Sequence, residues 1–509
     1  MLEKWLRVLA VLAALSLFAA ACGDSDDDGD SAIEETDDAA GDDGSSGDDD
    51  STAEEDAMAE EDDAMAEEDD AMAEEDDAMA EEDDGGSSGG ALATEGEVEI
   101  ATGTTLNLNE CPDDWSATQG VDGDEIRIGI SLPQSGQLAA FGPIADGMQA
   151  YFDYLNENDP IDGKELVLVV RDDAYEAGRT TANVEEMLET EDLFAFAYII
   201  GSPNNAAVRP VFQDACVPQL FNSTGLPAWG DPAEWPWTVG GLLAYNTEAR
   251  LWCENAAEEF GEGVTVAGLF MNNDFGKAYQ EGVQGCADDG LIDLVTDEVH
   301  DPAAPDIANE ITNMINSDAQ VFIFGSTSAF CPQATGGVAA SEWRPVFYMS
   351  NTCSNLGAFF EPVQDAAAAL ADEGSAVRMA SNVKNFTDPA YENDEAISLG
   401  IDILDAAGLS ESGSQSTGVL FGYTLEQTLR GAVEMGELNR VTLMSSAWNL
   451  DFASPYLLDG IENITDGTND AYVVEGARIE EIVVNDGSLT FNAISDLISV
   501  EGVTGSVGG

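Results

Sequence analysis

From Glu125 onward the chain alternates runs that read as buried strands with segments of helical spacing, and no other feature limits its possible folds so closely. Residues 125–132, 166–170, 194–200 and 218–221 read as strands, and 144–156, 180–188 and 206–214 as the helices between them. After Tyr245 the rhythm restarts with helix 247–260, strand 265–271, helix 277–287, strand 291–299 and helix 307–315. Strands 321–325 and 346–350 then flank a further helix. Strands that lack polar alternation are covered on both faces, as in parallel sheets wrapped by helices. About 385 residues in two such cycles exceed one comfortable core, so the expected fold is α/β with two lobes. Ligands of open parallel sheets sit beyond the carboxyl ends of the strands, and two facing lobes form a cleft there.

The first hundred residues cannot contribute to such a core. The chain holds 102 acids and 15 bases in 509 residues, and no Lys or Arg stands between Arg7 and Arg127. Residues 23–100 carry 36 of the acids, and the heptad Ala-Met-Ala-Glu-Glu-Asp-Asp repeats four times over 57–84. Ala and Met make a thin seam for a coiled coil, and four adjacent acids per repeat repel one another. An extended acidic linker over 22–99 is the expectation, with 100–123 as an N-terminal extension of the folded part. Residues 101–509 still hold 65 acids against 13 bases, which excludes nucleic acid as a partner because phosphate binding needs clustered Lys and Arg.

Ahead of the linker, Lys4 and Arg7 precede an apolar run over 8–21 that ends at Cys22. The pattern is that of a signal peptide over 1–21, and the run is too short to span a bilayer, which takes roughly 20 apolar residues. Cys22 directly after three alanines resembles the lipobox of bacterial lipoproteins. That resemblance implies a diacylglyceryl-modified Cys22 and an extracytoplasmic protein fixed to the cell membrane by its N-terminal lipid.

Six further cysteines, Cys111, Cys216, Cys253, Cys286, Cys331 and Cys353, form no CxxC pair, so zinc and redox motifs are missing. An even number in an exported chain points to disulfides, with about fifteen connectivities open. The favoured set is Cys253–Cys286 and Cys331–Cys353 as local bridges, with Cys111–Cys216 pinning the N-terminal extension. His300 is the single histidine and reads as a surface turn residue beside Asp301-Pro302. Without a second histidine, neither a Ser-His-Asp apparatus nor a histidine metal site is expected, and the chain reads as a non-enzyme without cofactor or metal.

Four segments carry a wider resemblance: IRIGISLPQSGQLAAFG (126–142), LVVRDDAYEAGRTT (168–181), YIIGSPNNAAVRPVFQDACVPQLFN (198–222) and VAGLFMNNDFG (266–276). In order and spacing the chain resembles the type I periplasmic binding proteins, particularly the leucine/isoleucine/valine-binding receptors of ABC transporters. The likeness runs over roughly 124–500. It implies three crossings between lobes: near 243–245, near 374–380, and before C-terminal strands at 472–477 and 480–484. Lobe one is then expected over 124–244 plus 378–455 and lobe two over 245–377 plus 456–500, with 501–509 a tail.

The same resemblance nominates ligand-binding residues. Ser202, Asn204 and Asn205 follow the third strand and Ser223 and Thr224 the fourth, where hydroxyls and exposed N–H groups hold a ligand carboxylate in the family. Small polar residues at helix starts also serve as caps, which is the plainer role for them. Phe141 and Phe275 match aromatic positions over the ligand, with Tyr245 and Trp229 as further candidates. In lobe two, Ser326, Thr327 and Ser328 stand where an aromatic is usual. The loop at Asn351 lacks the acid that pairs with an amino acid's ammonium, leaving Asp274 as a substitute from another loop. Asp172 and Asp173 read as loop caps. The expected function is a monomeric binding subunit that delivers a small polar solute (an amino acid, amide or small carboxylate) to ABC permease subunits. A sensor of the same fold is the alternative.

Overall fold

The computed structural model describes residues 92–501 and 504–505. The signal segment, Cys22, the linker up to residue 91 and most of the tail lie outside the described residues. All that follows concerns one compact unit, residues 85–509.

The unit opens with a hairpin, β1 (Glu97–Ala101) and β2 (Thr104–Asn107), in residues expected to be linker and extension. It docks through backbone carbonyls: Ile100 O accepts from Ser445 Oγ and Asn449 Nδ2, both at 2.8 Å. The first βα cycle follows, with β3 (Glu125–Leu132), α1 (Ile144–Asn158), β4 (Glu165–Asp172), α2 (Ala177–Thr190) and β5 (Ala195–Ala197). It continues through α3 (Ser202–Ala215), β6 (Gln219–Asn222) and β7 (Thr238–Gly240). These strands form one parallel sheet in the order β4-β3-β5-β6-β7. Ile126, Ile128, Ile130 and Leu132 are fully buried on one face and Gly129 and Ser131 are buried on the other, as a strand covered on both faces requires.

The second cycle runs α4 (Tyr245–Phe260), β8 (Val264–Met271), α5 (Asp274–Asp288), β9 (Ile292–His300), α6 (Ala308–Ser317) and β10 (Val321–Gly325). After α7 (Phe330–Ala339) and β11 (Val346–Met349) come α8 (Gln364–Asp372) and β12 (Val377–Ser381). Strands β12, β11, β10, β8 and β9 are parallel neighbours in that order. Strand β9 lies at the edge, and there the burial alternates with Val295 and Val299 facing solvent.

The chain then returns to the first lobe with α9 (Glu395–Ala406), α10 (Gln415–Glu434) and α11 (Arg440–Ala447). Helix α10 packs against α1 at a contact that only glycine permits. A Cβ on Gly147 would lie 2.0 Å from Gln415 O, and one on Gly418 2.2 Å from Ile144 O. The hairpin of β13 (Gly476–Asn485) and β14 (Ser488–Ala493) closes the second sheet, β13 running antiparallel to β12.

Strand β12 corrects the expected lobe boundary. Residues 377–381 pair with β11 and β13 in the second sheet, so the chain leaves that lobe after Ser381 rather than within 374–380. The outgoing and returning strands pair with each other there: Lys384 N–H donates to Tyr456 O and Leu458 N–H to Asn382 O, both at 2.9 Å. Where C-terminal strands were expected at 472–477 and 480–484 there is one strand, Gly476–Asn485: residues 472–475 precede it, and Arg478 and Ile479 continue the ladder instead of turning.

The cysteines pair as Cys111–Cys216, Cys253–Cys286 and Cys331–Cys353. The first ties the N-terminal extension to the end of α3, where the Trp115 indole also donates to Cys216 O at 2.8 Å. Among the described residues no helix is long and apolar enough to cross a membrane.

Candidate functional site

Where the carboxyl ends of the two sheets face each other, a cavity of about 150 Å³ lies between the lobes. Lobe one reaches it with the loop after β3 (Leu138, Phe141), with Ile200 and Ser223 at the ends of β5 and β6, and with Leu420 and Phe421 of α10. Lobe two contributes Tyr245 and Glu248 from α4, Phe275 from α5, Thr327 after β10 and Asn351 after β11. The paired crossing strands add Asn382, Lys384 and Tyr456. Contacts across the rim hold the lobes together. Gln137 Nε2 donates to Ala304 O at 2.9 Å, and Ser328 Oγ donates to Gln137 O at 3.2 Å.

Of the residues nominated from sequence, Phe141, Ser223, Tyr245, Phe275 and Asn351 line this cavity. The Phe141 ring packs edge-on against Phe359, with centroids 5.9 Å apart, and Phe275 packs edge-on against Tyr245 at 5.0 Å. Ser202, Asn204, Asn205 and Thr224 lie just beneath the surface, fully buried and engaged with the protein itself. The Ser202 and Thr224 hydroxyls bond each other at 2.6 Å, and Thr224 also bonds the Tyr245 phenol. Asn204 Nδ2 donates to Thr180 Oγ1 at 2.7 Å. Asn205 Nδ2 donates to Ile199 O and Gly201 O, which fixes the start of α3. These side chains brace strand and helix ends; none of them caps α3, which follows Gly201 with no side-chain cap.

Ser326 is likewise withdrawn. Its hydroxyl lies 2.8 Å from Nε2 of His300 at the end of β9. This places His300 inside the fold, not on the surface turn expected of it; the ring packs 4.4 Å from Phe330, and burial lowers its pKa. Trp229 lies over Arg209, 5.1 Å from its guanidinium carbon, and not among the lining residues. Asp274 is near Lys277 at 3.9 Å and also lines nothing.

Asp172 and Asp173 hold the loops in place. Asp172 accepts from Gln134 N–H and Ser135 Oγ, and Asp173 from Ser131 Oγ, Thr180 Oγ1 and Tyr175 N–H. Burial raises the pKa of Asp173, while its hydrogen bonds pull the other way.

No acid stands in the Asn351 loop, but Glu248, in the first turn of α4, lines the cavity beside it. Its Oε2 accepts from the Tyr279 hydroxyl at 2.6 Å and its Oε1 from Asn351 N–H at 2.7 Å. It is 2 % exposed, and burial pushes its carboxyl up to about 8. Sequence reasoning passed over it because an acid in a first helical turn reads as a partner of the helix dipole. Only the crossing between lobes, which sets this turn against β11, makes it a cavity residue. Elsewhere Asp470, Glu475 and Glu501 gather carboxylate oxygens within 4.8 Å, and burial raises Asp470 to about 8, but none of the three lines the cavity.

The family described as periplasmic binding protein matches residues 125–457. Among solved structures, a branched-chain amino acid ABC transporter protein from Thermus thermophilus with bound valine superposes with a TM-score of 0.64 at 17% identity, covering 74% of this chain and 96% of that one. A fatty acid ABC transporter substrate-binding protein from Thermomonospora curvata gives 0.63 at 16%, covering 76% and 96%. An ABC transporter solute-binding protein from R. palustris in complex with 4-hydroxybenzoate gives 0.60 at 15%, covering 74% and 97%. At such identities the likeness is one of fold. No curated protein sequence matches the chain.

Proposed function

Because the chain belongs to the periplasmic binding protein family, we propose that it is the extracytoplasmic solute-binding subunit of an ABC importer, anchored to the cell membrane by a lipid on Cys22. The observation that carries this reading is the cavity itself, walled by residues of both lobes and of the strands that join them. A solute held there touches both lobes at once, so it stabilises the closed arrangement over any open one by the contacts that only closure provides. The permease would read that closed form. Amino acids, amides and small carboxylates are the solute classes to expect, and the protein acts as a monomer with the acidic segment as its leash.

Thermal-shift screening of the full-length protein against those classes tests the binding role. A true solute raises the melting temperature by mass action. Silence across the panel together with turnover of any member would overturn the reading. Replacing Cys22 by Ser should move the protein from the membrane fraction to the medium, and retention in the membrane would remove the anchor.

A further inference from the structure

Among the described residues lining the cavity, Glu248 is the one acid and Lys384 the one base. Lys384 is already committed: its Nζ lies 3.0 Å from Asp394 and 2.9 Å from Asp459. No free positive charge is therefore left on the wall for a ligand carboxylate. Of the lobe-one hydroxyls nominated for that role, Ser202 and Thr224 are turned to each other, and Ser223 alone reaches the cavity, without charge.

The opposite wall is rich in acceptors. Glu248 takes its two hydrogen bonds from a phenol and a backbone N–H, neither of which carries charge. Beside it Asn351 Oδ1 is buried without a hydrogen-bond partner, its Nδ2 being used on Asn382 Oδ1 at 3.0 Å. The faces of Tyr245 and Phe275 complete the corner. Acceptors beside aromatic rings suit a cation with N–H donors, which gains from a carboxylate, an amide oxygen and ring quadrupoles together. Away from this corner Ile144, Phe359, Phe386 and Phe421 give the wall its apolar surface, interspersed with uncharged Asn355, Ser416 and Thr417. A space near 150 Å³ takes a body about the size of benzene.

We propose that the solute captured here carries a protonated amine on a small apolar body, and that Glu248 and Asn351, flanked by Tyr245 and Phe275, receive that amine. The inference rests on the solute-binding reading and narrows it. Glu248 determines specificity, because a ligand without the amine leaves both acceptors unfilled.

A consequence is proton release. The titratable groups facing Glu248 are Tyr279 from α5 and Tyr245 from its own helix, with Tyr175 of lobe one beyond Tyr245. Burial pushes all three phenols upward, so they stay neutral. From the β11 side come only the Asn351 N–H and the Ser350 hydroxyl, the latter bonded to Tyr279. In the empty cleft at pH 6 Glu248 therefore holds its proton, and binding an ammonium expels it.

Three probes share a body and differ in charge: 2-phenylethylamine, phenylalanine and 3-phenylpropionate. With full-length protein, calorimetry should show the two amines binding at least about tenfold more tightly than the acid. In paired buffers of different ionisation enthalpy, about one proton should leave per amine bound at pH 6. Affinity for 2-phenylethylamine should rise by up to about tenfold per pH unit from 6 to 8 and then level off. Glu248→Gln should lose most of that affinity and release no proton. Should the variant fold poorly, proton release by the wild-type protein decides alone. Tighter binding of 3-phenylpropionate, or amine binding without proton release, overturns the inference and leaves the solute-binding reading standing. If none of the three binds, the inference falls, and the broader reading falls with it only if amides and small acids also fail.

Discussion

On the lobe-one wall of the cleft, Ser202, Asn204, Asn205 and Thr224 hydrogen-bond to one another's neighbours and to backbone, and Asp173 ties three separate donors; Asn204 Oδ1 and the Asn222 amide lack partners, but neither residue lines the cavity. On the lobe-two wall, Glu248 holds only uncharged donors, and Thr327 Oγ1 and Asn351 Oδ1 lack partners. Both walls are built from polar residues at strand and helix ends, so residue type alone does not distinguish them. The place of the open atoms does. Those of lobe one sit on Asn204 and Asn222, behind the cavity wall, whereas those of lobe two sit on Thr327 and Asn351, which line it and await a ligand, because buried unpaired polar groups cost free energy until filled.

The sharpest way to break this contrast is to titrate stability. Glu248 is an acid whose pKa rises on folding, from the ordinary 4.5 to about 8. Between those values the folded protein keeps a proton that the unfolded chain releases, so stability falls as pH rises through this window and is flat above it. The ligand-free wild type should lose about 4 kcal/mol relative to Glu248→Gln between pH 4.5 and 8, read by urea unfolding. A pH-independent difference would mean that the fold holds Glu248 ionised, already satisfied by its own donors.

Asp173→Ala is next in size. It leaves the Ser131 and Thr180 hydroxyls and the Tyr175 N–H without their shared acceptor, and should cost about 3 kcal/mol. Its ranking of the three probes should match that of the wild type. A changed ranking would place Asp173 in recognition rather than support.

Much of the scaffold was legible in sequence because buried parallel strands leave a plain signature. Strands Glu125–Leu132 and Val321–Gly325 coincide with the expected strands to the residue. The β1–β2 hairpin was missed since Glu97–Ala101 borders the acidic linker and offers only five residues of alternation. The family resemblance put a crossing over strand β12, and its run, Val377-Arg378-Met379-Ala380-Ser381, carries a charge that hides its strand character. That Arg378 is satisfied by Glu259 at 2.6 Å, a partner more than a hundred positions away. The site was legible in part for the same reason. Loops at strand ends could be located, as Phe141, Ser223 and Asn351 show, but whether a hydroxyl faces the cavity or its neighbour is a tertiary fact.

Within lobe one the contrast narrows to adjacent residues, Ser223 and Thr224. Ser202→Ala breaks the buried hydroxyl pair and should cost about 1 kcal/mol, with affinity for 2-phenylethylamine unchanged. Ser223 has its N–H committed to Ile199 O at 3.0 Å, while its side chain lines the cavity. Ser223→Ala should therefore leave stability within about 0.5 kcal/mol and weaken the same ligand by about threefold, the loss of one ordinary hydrogen bond. A double Ser223/Thr224 substitution would mix the two effects and hide the boundary between scaffold and site. Measured singly, they locate it between consecutive residues: a stability loss at Ser223, or an affinity loss at Ser202, would move that boundary and with it the division of the two walls.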